Sequence, residues 1–257
     1  MGLATAKVLG QDHHVIICDL RQERLDVALN MLRQHDISCA ATVCDVTDRA
    51  SVDSVLNAAV SAGQLTSMVH TAGISPQMAS PEAIMKINTL GTINITEAAL
   101  AVATEGLALV NVASMAAYLV PGFVIPTRAF SHAFTDHNVF LKKALFPCRF
   151  MPSGLYRNGL AYAISKNFVI WYSKKNAARF GRLGARILSV SPGTFDTEMG
   201  RLEEKSGSVE MLKKAALKRL GRPEEIAEVL AFCAGANAGY LTGTDILCDG
   251  GVVASRT

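Results

Sequence analysis

Strand-length apolar runs alternate with helix-length amphipathic segments over most of this chain, and that alternation restricts the fold more than any other feature. Val15-Ile16-Ile17-Cys18 precedes a helical pattern over 22–34, in which Leu25, Ala28, Leu29 and Leu32 share one face. Residues 40–44 precede a second over 51–62, and Ser67–His70 leads into a long helical pattern over 81–104. Residues 107–112, 185–190 and 244–248 read as further strands, with helices expected over 161–178 and 223–232. Strands this apolar must be covered on both faces, which predicts a parallel sheet between two helical layers. No internal repeat or linker divides the chain, so one domain over residues 1–257 is expected.

Composition excludes several classes. With 50% hydrophobic and 18% charged residues, the chain is too apolar to be disordered. A net charge of +3 is too mild for a dedicated nucleic-acid binder, so no such partner is expected. The six cysteines are scattered without a C-x-x-C pair and the six histidines show no zinc spacing. That favours a reducing, cytoplasmic setting and no metal site. The uncharged stretch 106–127 contains Asn111, Ser114, Pro121, Gly122 and Pro126, so it reads as a buried strand running into a loop. No membrane partner is expected, and the N-terminus opens on a short helical pattern, not on a signal peptide.

One block breaks the rhythm. Residues 115–158 are far too long for an ordinary strand-to-helix connection. They hold Phe123, Phe130, Phe134, Phe140, Phe146 and Phe150, together with Tyr118 and Tyr156. Arg128, Lys142, Lys143, Arg149 and Arg157 face Asp136 as the only acid of the block, so the basic excess of the chain is concentrated here. The block begins and ends beside the residues discussed next, which suggests an apolar lid over a hydrophobic substrate; an extra packing layer or a subunit contact is the plainer alternative.

Tyr162-Ala163-Ile164-Ser165-Lys166 sets a phenol and an ammonium four residues apart at the expected start of a helix, on one face. A free phenol titrates too high to exchange protons at neutral pH, and a neighbouring cation favours the phenolate. Tyr162 is therefore a candidate general acid/base. Alone, the pair fits an exposed helix face equally well.

Its surroundings narrow the reading. Asp19 ends the first visible strand, Asn88 sits in the long helix and Ser114 ends an apolar strand. With His70-Thr71-Ala72-Gly73, Asn111-Val112-Ala113-Ser114, Ser191-Pro192-Gly193 and Asp249-Gly250-Gly251, these residues resemble the short-chain dehydrogenase/reductase family over nearly the whole chain outside 115–158. The resemblance implies an α/β fold of the Rossmann type, a doubly wound parallel sheet in three αβα layers, and NAD(P)-dependent interconversion of a secondary alcohol and a ketone. It implies that Ser114 holds the substrate oxygen, Tyr162 exchanges the proton, Lys166 lowers the phenol pKa and binds the nicotinamide ribose, and Asn88 holds a water in the proton relay. Asp19 would accept the adenosine ribose hydroxyls and repel a 2′-phosphate, favouring NAD, although Arg21 nearby leaves NADP open. Asp45 and Val46 would flank adenine, Ala72 and Gly73 would pass close to the cofactor, and Pro192, Gly193 and Thr197 would lie along the nicotinamide. The long block resembles the insertion of 3α-hydroxysteroid dehydrogenase/carbonyl reductase members, implying a bulky or steroid-like substrate. The resemblance also implies a homo-oligomer, with a dimer preferred over a tetramer because the insertion could obstruct one family interface.

The family begins with a strand and a T-G-x-x-x-G-x-G turn, of which Met1-Gly2-Leu3-Ala4 matches only the last x-G and the helix start. That strand lies centrally in the Rossmann order, so the expectation is a gap in the sheet or another segment filling its slot. Two readings follow. Met1 is an internal methionine of a working oxidoreductase, or the chain is a cofactor-incompetent relative serving as a non-catalytic interaction protein.

Overall fold

Six parallel strands form among the described residues, which in this computed structural model are all but 153, 204–208 and 257. β1 (Val15–Asp19) and β2 (Cys39–Val43) pair with one another, Val15 opposite Cys39 and Asp19 opposite Val43. β3 (Ser67–His70), β4 (Ala108–Val112), β5 (Arg186–Pro192) and β6 (Asp245–Cys248) form a second sheet in chain order. The expected gap is present: no hydrogen-bonded ladder joins β1 to β3 among the described residues. Burial follows it, since β4 and β5 are buried throughout while most of β1 and β3 is only half-buried.

Side chains bridge what the backbone does not. Leu109 and Ile187 point to one face, where they meet α3 (Arg49–Ala62) and α5 (Gly91–Val102) through Val52, Leu56, Ile95 and Ala99. Ile16 of β1 and Met68 of β3 pack against this same cluster, so both sheets share one core layer. Val110, Val112, Leu188 and Val190 point to the other face, onto Ile226 and Leu230 of α11 (Pro223–Ala234). This alternation is the period-2 geometry of a strand, and it makes the three-layer α/β arrangement that the sequence pattern predicts. α1 (Gly2–Leu9) adds Ala6 and Leu3 to a smaller cluster with Val15, Ile17 and Leu32 of α2 (Gln22–Arg33).

Two elements differ from their sequence readings. The helix expected over 81–104 is α4 (Pro81–Met85), a π-turn over Lys86–Leu90 and α5. Ser80 caps its start, its hydroxyl accepting from the Ala83 N–H, and Pro81 sits in the first turn where no hydrogen-bonding N–H is needed. The helix expected from 161 begins earlier, as α8 (Leu155–Gly181). Tyr162 and Lys166 therefore lie two and three turns inside it, and the added first turns are tied down by Asn158, whose amide donates to the carbonyls of Pro76 and Ala79, each at 3.0 Å.

That block folds outward as short helical pieces, among them α6 (Thr127–Phe130) and α7 (His137–Ala144). Phe130 and Phe140 are fully buried against Ile164, Phe168 and Tyr172 of α8, with Phe130 and Phe168 in edge contact at 5.3 Å. Phe134 stacks on Tyr172 at 5.1 Å. The packing layer, not a lid, accounts for these three rings.

Candidate active site

The C-terminal ends of the strands carry the candidate residues, the place where open parallel sheets leave a crevice. β4 delivers Val112 and, two residues on, Ser114, whose hydroxyl accepts from the Ala116 N–H at 3.2 Å as the chain turns away. Lys166, almost fully buried on α8, donates from Nζ to the Val112 carbonyl at 3.0 Å. The same ammonium lies 5.8 Å from the centroid of the buried Tyr162 ring. The four-residue spacing thus does bring phenol and cation onto one face, and that face is turned inward.

Asn88 joins them from the π-turn. Its Oδ1 accepts from the Ile74 N–H at 2.9 Å, and its Nδ2 donates to the Ile74 carbonyl at 3.1 Å and to Ser165 Oγ at 3.0 Å. Ser165 donates onward to the Tyr162 carbonyl at 2.7 Å. A π-turn shifts the helical register locally, and it is a frequent feature of functional sites; here it aims Asn88 at the loop after β3. Gly73 is in that loop: a β-carbon there would stand 3.1 Å from Asn88 Oδ1 and 3.4 Å from Lys166 Nζ. Gly73, Asn88, Tyr162 and Lys166 are therefore brought together, with Ser165 as the link that sequence reasoning missed. Its signal was available, since position 165 is three residues from Tyr162 on the same helix face.

His70 is the last residue of β3. It is buried, and burial first, then the nearby Lys166 ammonium, presses its pKa down from 6.5 to about 3. The ring is therefore neutral at physiological pH. Its folded-state pKa lies below the unfolded value, so the unfolded chain takes up the proton first as pH falls. The stability His70 contributes is complete above pH 6.5 and is lost as pH drops toward 3, at about 1.4 kcal/mol per pH unit. Substituting His70→Asn is expected to flatten the thermal midpoint against pH between about 6 and 4. An unchanged acid slope would disprove this assignment.

A second group gathers at β1 and β2. The Asp19 carboxylate accepts from the Arg21 N–H at 3.0 Å, and the Asp19 carbonyl accepts from Cys44 N–H at 2.9 Å. Asp45 accepts from the N–H and hydroxyl of Thr47, both at 2.8 Å. Val46 packs so closely on Gly91 that a β-carbon there would stand 2.8 Å from it. Cys18 and Cys44, far apart in sequence, come together beside these two aspartates, and the interaction with Cys18 leads the causes lowering the Cys44 thiol to about 7.

The third group closes the far side. Pro192 ends β5, and Gly193 lies so close to Asp249 that a β-carbon would fall 2.6 Å from its Cα, a clash with backbone that only glycine avoids. Thr197 accepts from the Gly200 N–H at 3.0 Å and starts α9 (Glu198–Glu203). Ala72 is exposed beside Gly73.

The donor set would suit a dinucleotide, with the Asp19 and Asp45 carboxylates toward a ribose at one end and a close approach at the other, where Gly193 excludes a β-carbon and one at Gly73 would crowd Asn88. Between them lies the N-terminus of α1, where Gly2 faces Thr71 Oγ1, 2.7 Å from where its β-carbon would stand. Among the described residues no three His, Cys, Asp or Glu side chains are grouped to hold a metal ion, and no helix is long and apolar enough to cross a membrane.

Known proteins resemble this chain over nearly all of its length. The family description "short chain dehydrogenase" matches residues 1–130, and "Enoyl-(Acyl carrier protein) reductase" matches 153–253. A short-chain dehydrogenase/reductase of Alternaria brassicicola is 29% identical, covering 99% of this chain and 92% of its own. A 3-oxoacyl-[acyl-carrier-protein] reductase of Thermotoga maritima is 26% identical over 98% of this chain and 93% of its own. Among solved structures, a short-chain dehydrogenase from Burkholderia cenocepacia in complex with NADP superposes with a TM-score of 0.76 at 23% identity, covering 98% of this chain and 92% of that one. The Serratia marcescens short-chain dehydrogenase/reductase gives 0.76 at 22%, covering 98% and 93%.

Proposed function

The chain belongs to the short-chain dehydrogenase/reductase family, and from that premise we propose that it interconverts a secondary alcohol and a ketone. The observation that carries the reading is the buried Lys166 ammonium, 5.8 Å from the Tyr162 ring and fixed by the Val112 carbonyl. A buried cation beside a phenol favours the phenolate, so Tyr162 can give a proton to a carbonyl oxygen and retrieve it from an alcohol. Ser114 would hold that oxygen by hydrogen bonding as its charge develops. Asn88 and Ser165 would position the Tyr162 turn of α8 against the loop at Gly73.

Asp19, Asp45, Val46, Ala72, Gly73, Tyr162, Lys166, Pro192, Gly193 and Thr197 would hold a nicotinamide dinucleotide, which when bound supplies or accepts the hydride. The Asp19 carboxylate supports NAD over NADP, because it repels a 2′-phosphate. A bulky, apolar or steroid-like substrate, a cytoplasmic setting and a homodimer complete the reading; the substrate class rests on the resemblance of the long block to the hydroxysteroid dehydrogenase insertion, since its buried rings pack on α8 and not over the site.

The divided sheet favours a second reading, a cofactor-incompetent protein that acts by interaction. NADH fluorescence titration separates the two: saturable binding supports the oxidoreductase, and none at millimolar NADH supports the alternative. On the first reading, Asp19→Ser is expected to shift the NAD-to-NADP preference toward NADP by about tenfold or more, the scale of removing one charge–charge repulsion. An unchanged ratio of kcat/KM for the two cofactors would remove Asp19 from cofactor selection.

A further inference from the structure

The 115–158 block has a second face that the packing on α8 does not use. A groove of about 610 Å³ opens there, and Arg128, His132, Lys142, Lys143, Phe146 and Arg149 line it with no carboxylate among its lining residues. Lys143 Nζ stands 2.9 Å from His132 Nε2, and with the histidine left aside Arg128, Lys142, Lys143 and Arg149 bring four cations to the groove. Asp136, the one acid of the block, is turned to α7: its carboxylate accepts from the N–H groups of Asn138 and Val139, at the opposite end of that helix from Lys142 and Lys143.

Aromatic side chains stand beside this groove in water. Phe146 and Phe150 are in edge contact at 5.3 Å, yet they are 54% and 73% exposed, while Phe130 and Phe140 of the same block are fully buried. Met151 follows, partly exposed, its carbonyl accepting from Arg157 at 3.0 Å. Contiguous exposed apolar side chains mark a contact surface more often than they mark nothing.

Charge decides what fits. A second copy of the chain docking through this same face would set four cations against four. A small soluble anion would satisfy the cations and leave the two phenylalanine rings in water. An anionic lipid surface answers both features, with phosphates for the basic groove and an acyl boundary for the rings. We propose that the 115–158 block is a peripheral docking face for an anionic lipid surface, with Arg128, Lys142, Lys143 and Arg149 on headgroup phosphates and Phe146 and Phe150 at the acyl boundary. The sequence expectation of no membrane partner rested on the lack of a spanning segment, and surface contact needs none.

Vesicle co-sedimentation of the full chain tests this, using phosphatidylcholine with about 30 mol% phosphatidylserine against phosphatidylcholine alone, at low and at high salt. Binding is expected to the anionic vesicles, weakening with salt. Each basic side chain near such a surface contributes about fivefold, so the double substitution Lys142→Glu, Arg149→Glu should weaken binding by about 25-fold or more. The pair Phe146→Ala, Phe150→Ala should weaken it by about tenfold or more, at an unchanged thermal midpoint. Equal binding to neutral vesicles, or insensitivity to either pair, would overturn the proposal. So would absence of vesicle binding together with saturable binding of inorganic pyrophosphate or of an acidic protein that the charge reversal abolishes.

Discussion

Phenylalanine in place of Tyr162 is expected to lower turnover by two to four orders of magnitude, the usual contribution of a positioned general acid/base. The substitution keeps the ring, which is buried and packed beneath Lys166, and removes only the hydroxyl. Thermal stability should therefore change little while the chemical step fails. NADH binding, followed by fluorescence, should weaken only by the loss of one hydroxyl contact, because the Asp19 and Asp45 group lies at β1 and β2, away from α8. Turnover within about tenfold of the wild type would exclude Tyr162 as the proton donor and return the Tyr-Lys pair to a structural role.

The largest expected effect on stability comes from a residue outside the site. Arg186 opens β5, is almost fully buried, and reaches across to the end of α11. One guanidinium nitrogen donates to the carbonyls of Cys233 and Leu241, each at 3.1 Å, and the other to Gly235 at 2.9 Å. The last carbonyls of a helix have no intrahelical partner, and a cation there also meets the negative end of the helix dipole. Arg186→Met would fill the volume but strip three carbonyls of their charged donor, that of Cys233 buried and those of Leu241 and Gly235 partly buried, at a cost of about 3 kcal/mol. In a chain of this size that lowers the thermal midpoint by roughly 6–12 °C. Calorimetry showing a change below about 1 °C would mean that water or neighbouring groups already satisfy those carbonyls.

Much of the architecture was legible in the sequence because it rests on short-range periodicity. Each strand from β1 to β6 lies within two residues of its apolar run, and Tyr162 and Lys166 share a face as their spacing requires. What was not legible depends on which surfaces meet. The start of α8 at Leu155 and the π-turn at Lys86–Leu90 go with the side-chain bonds of Asn158 and of Asn88, neither of which leaves a periodic trace. The aromatic block read as a lid because its sequence position borders the site, but position along the chain says nothing about which side of a helix a loop takes. Phe130 and Phe140 went to the outer face of α8, where Phe168 and Tyr172 offered apolar area.

The sequence by itself determined the alternation of strands and helices, hence a parallel sheet in three layers, and the family's constellation of Asp19, Asn88, Ser114, Tyr162 and Lys166. It also implied the break between β1 and β3. Tertiary structure alone decided that a shared side-chain layer through Ile16 and Met68 spans that break, that Ser165 couples Asn88 to the Tyr162 turn, and that His70 is pressed neutral beside Lys166. The division has one physical cause. Backbone geometry imposes periods that any local window reveals, whereas burial, convergence and shifted proton affinities exist only once distant segments exclude water from one another.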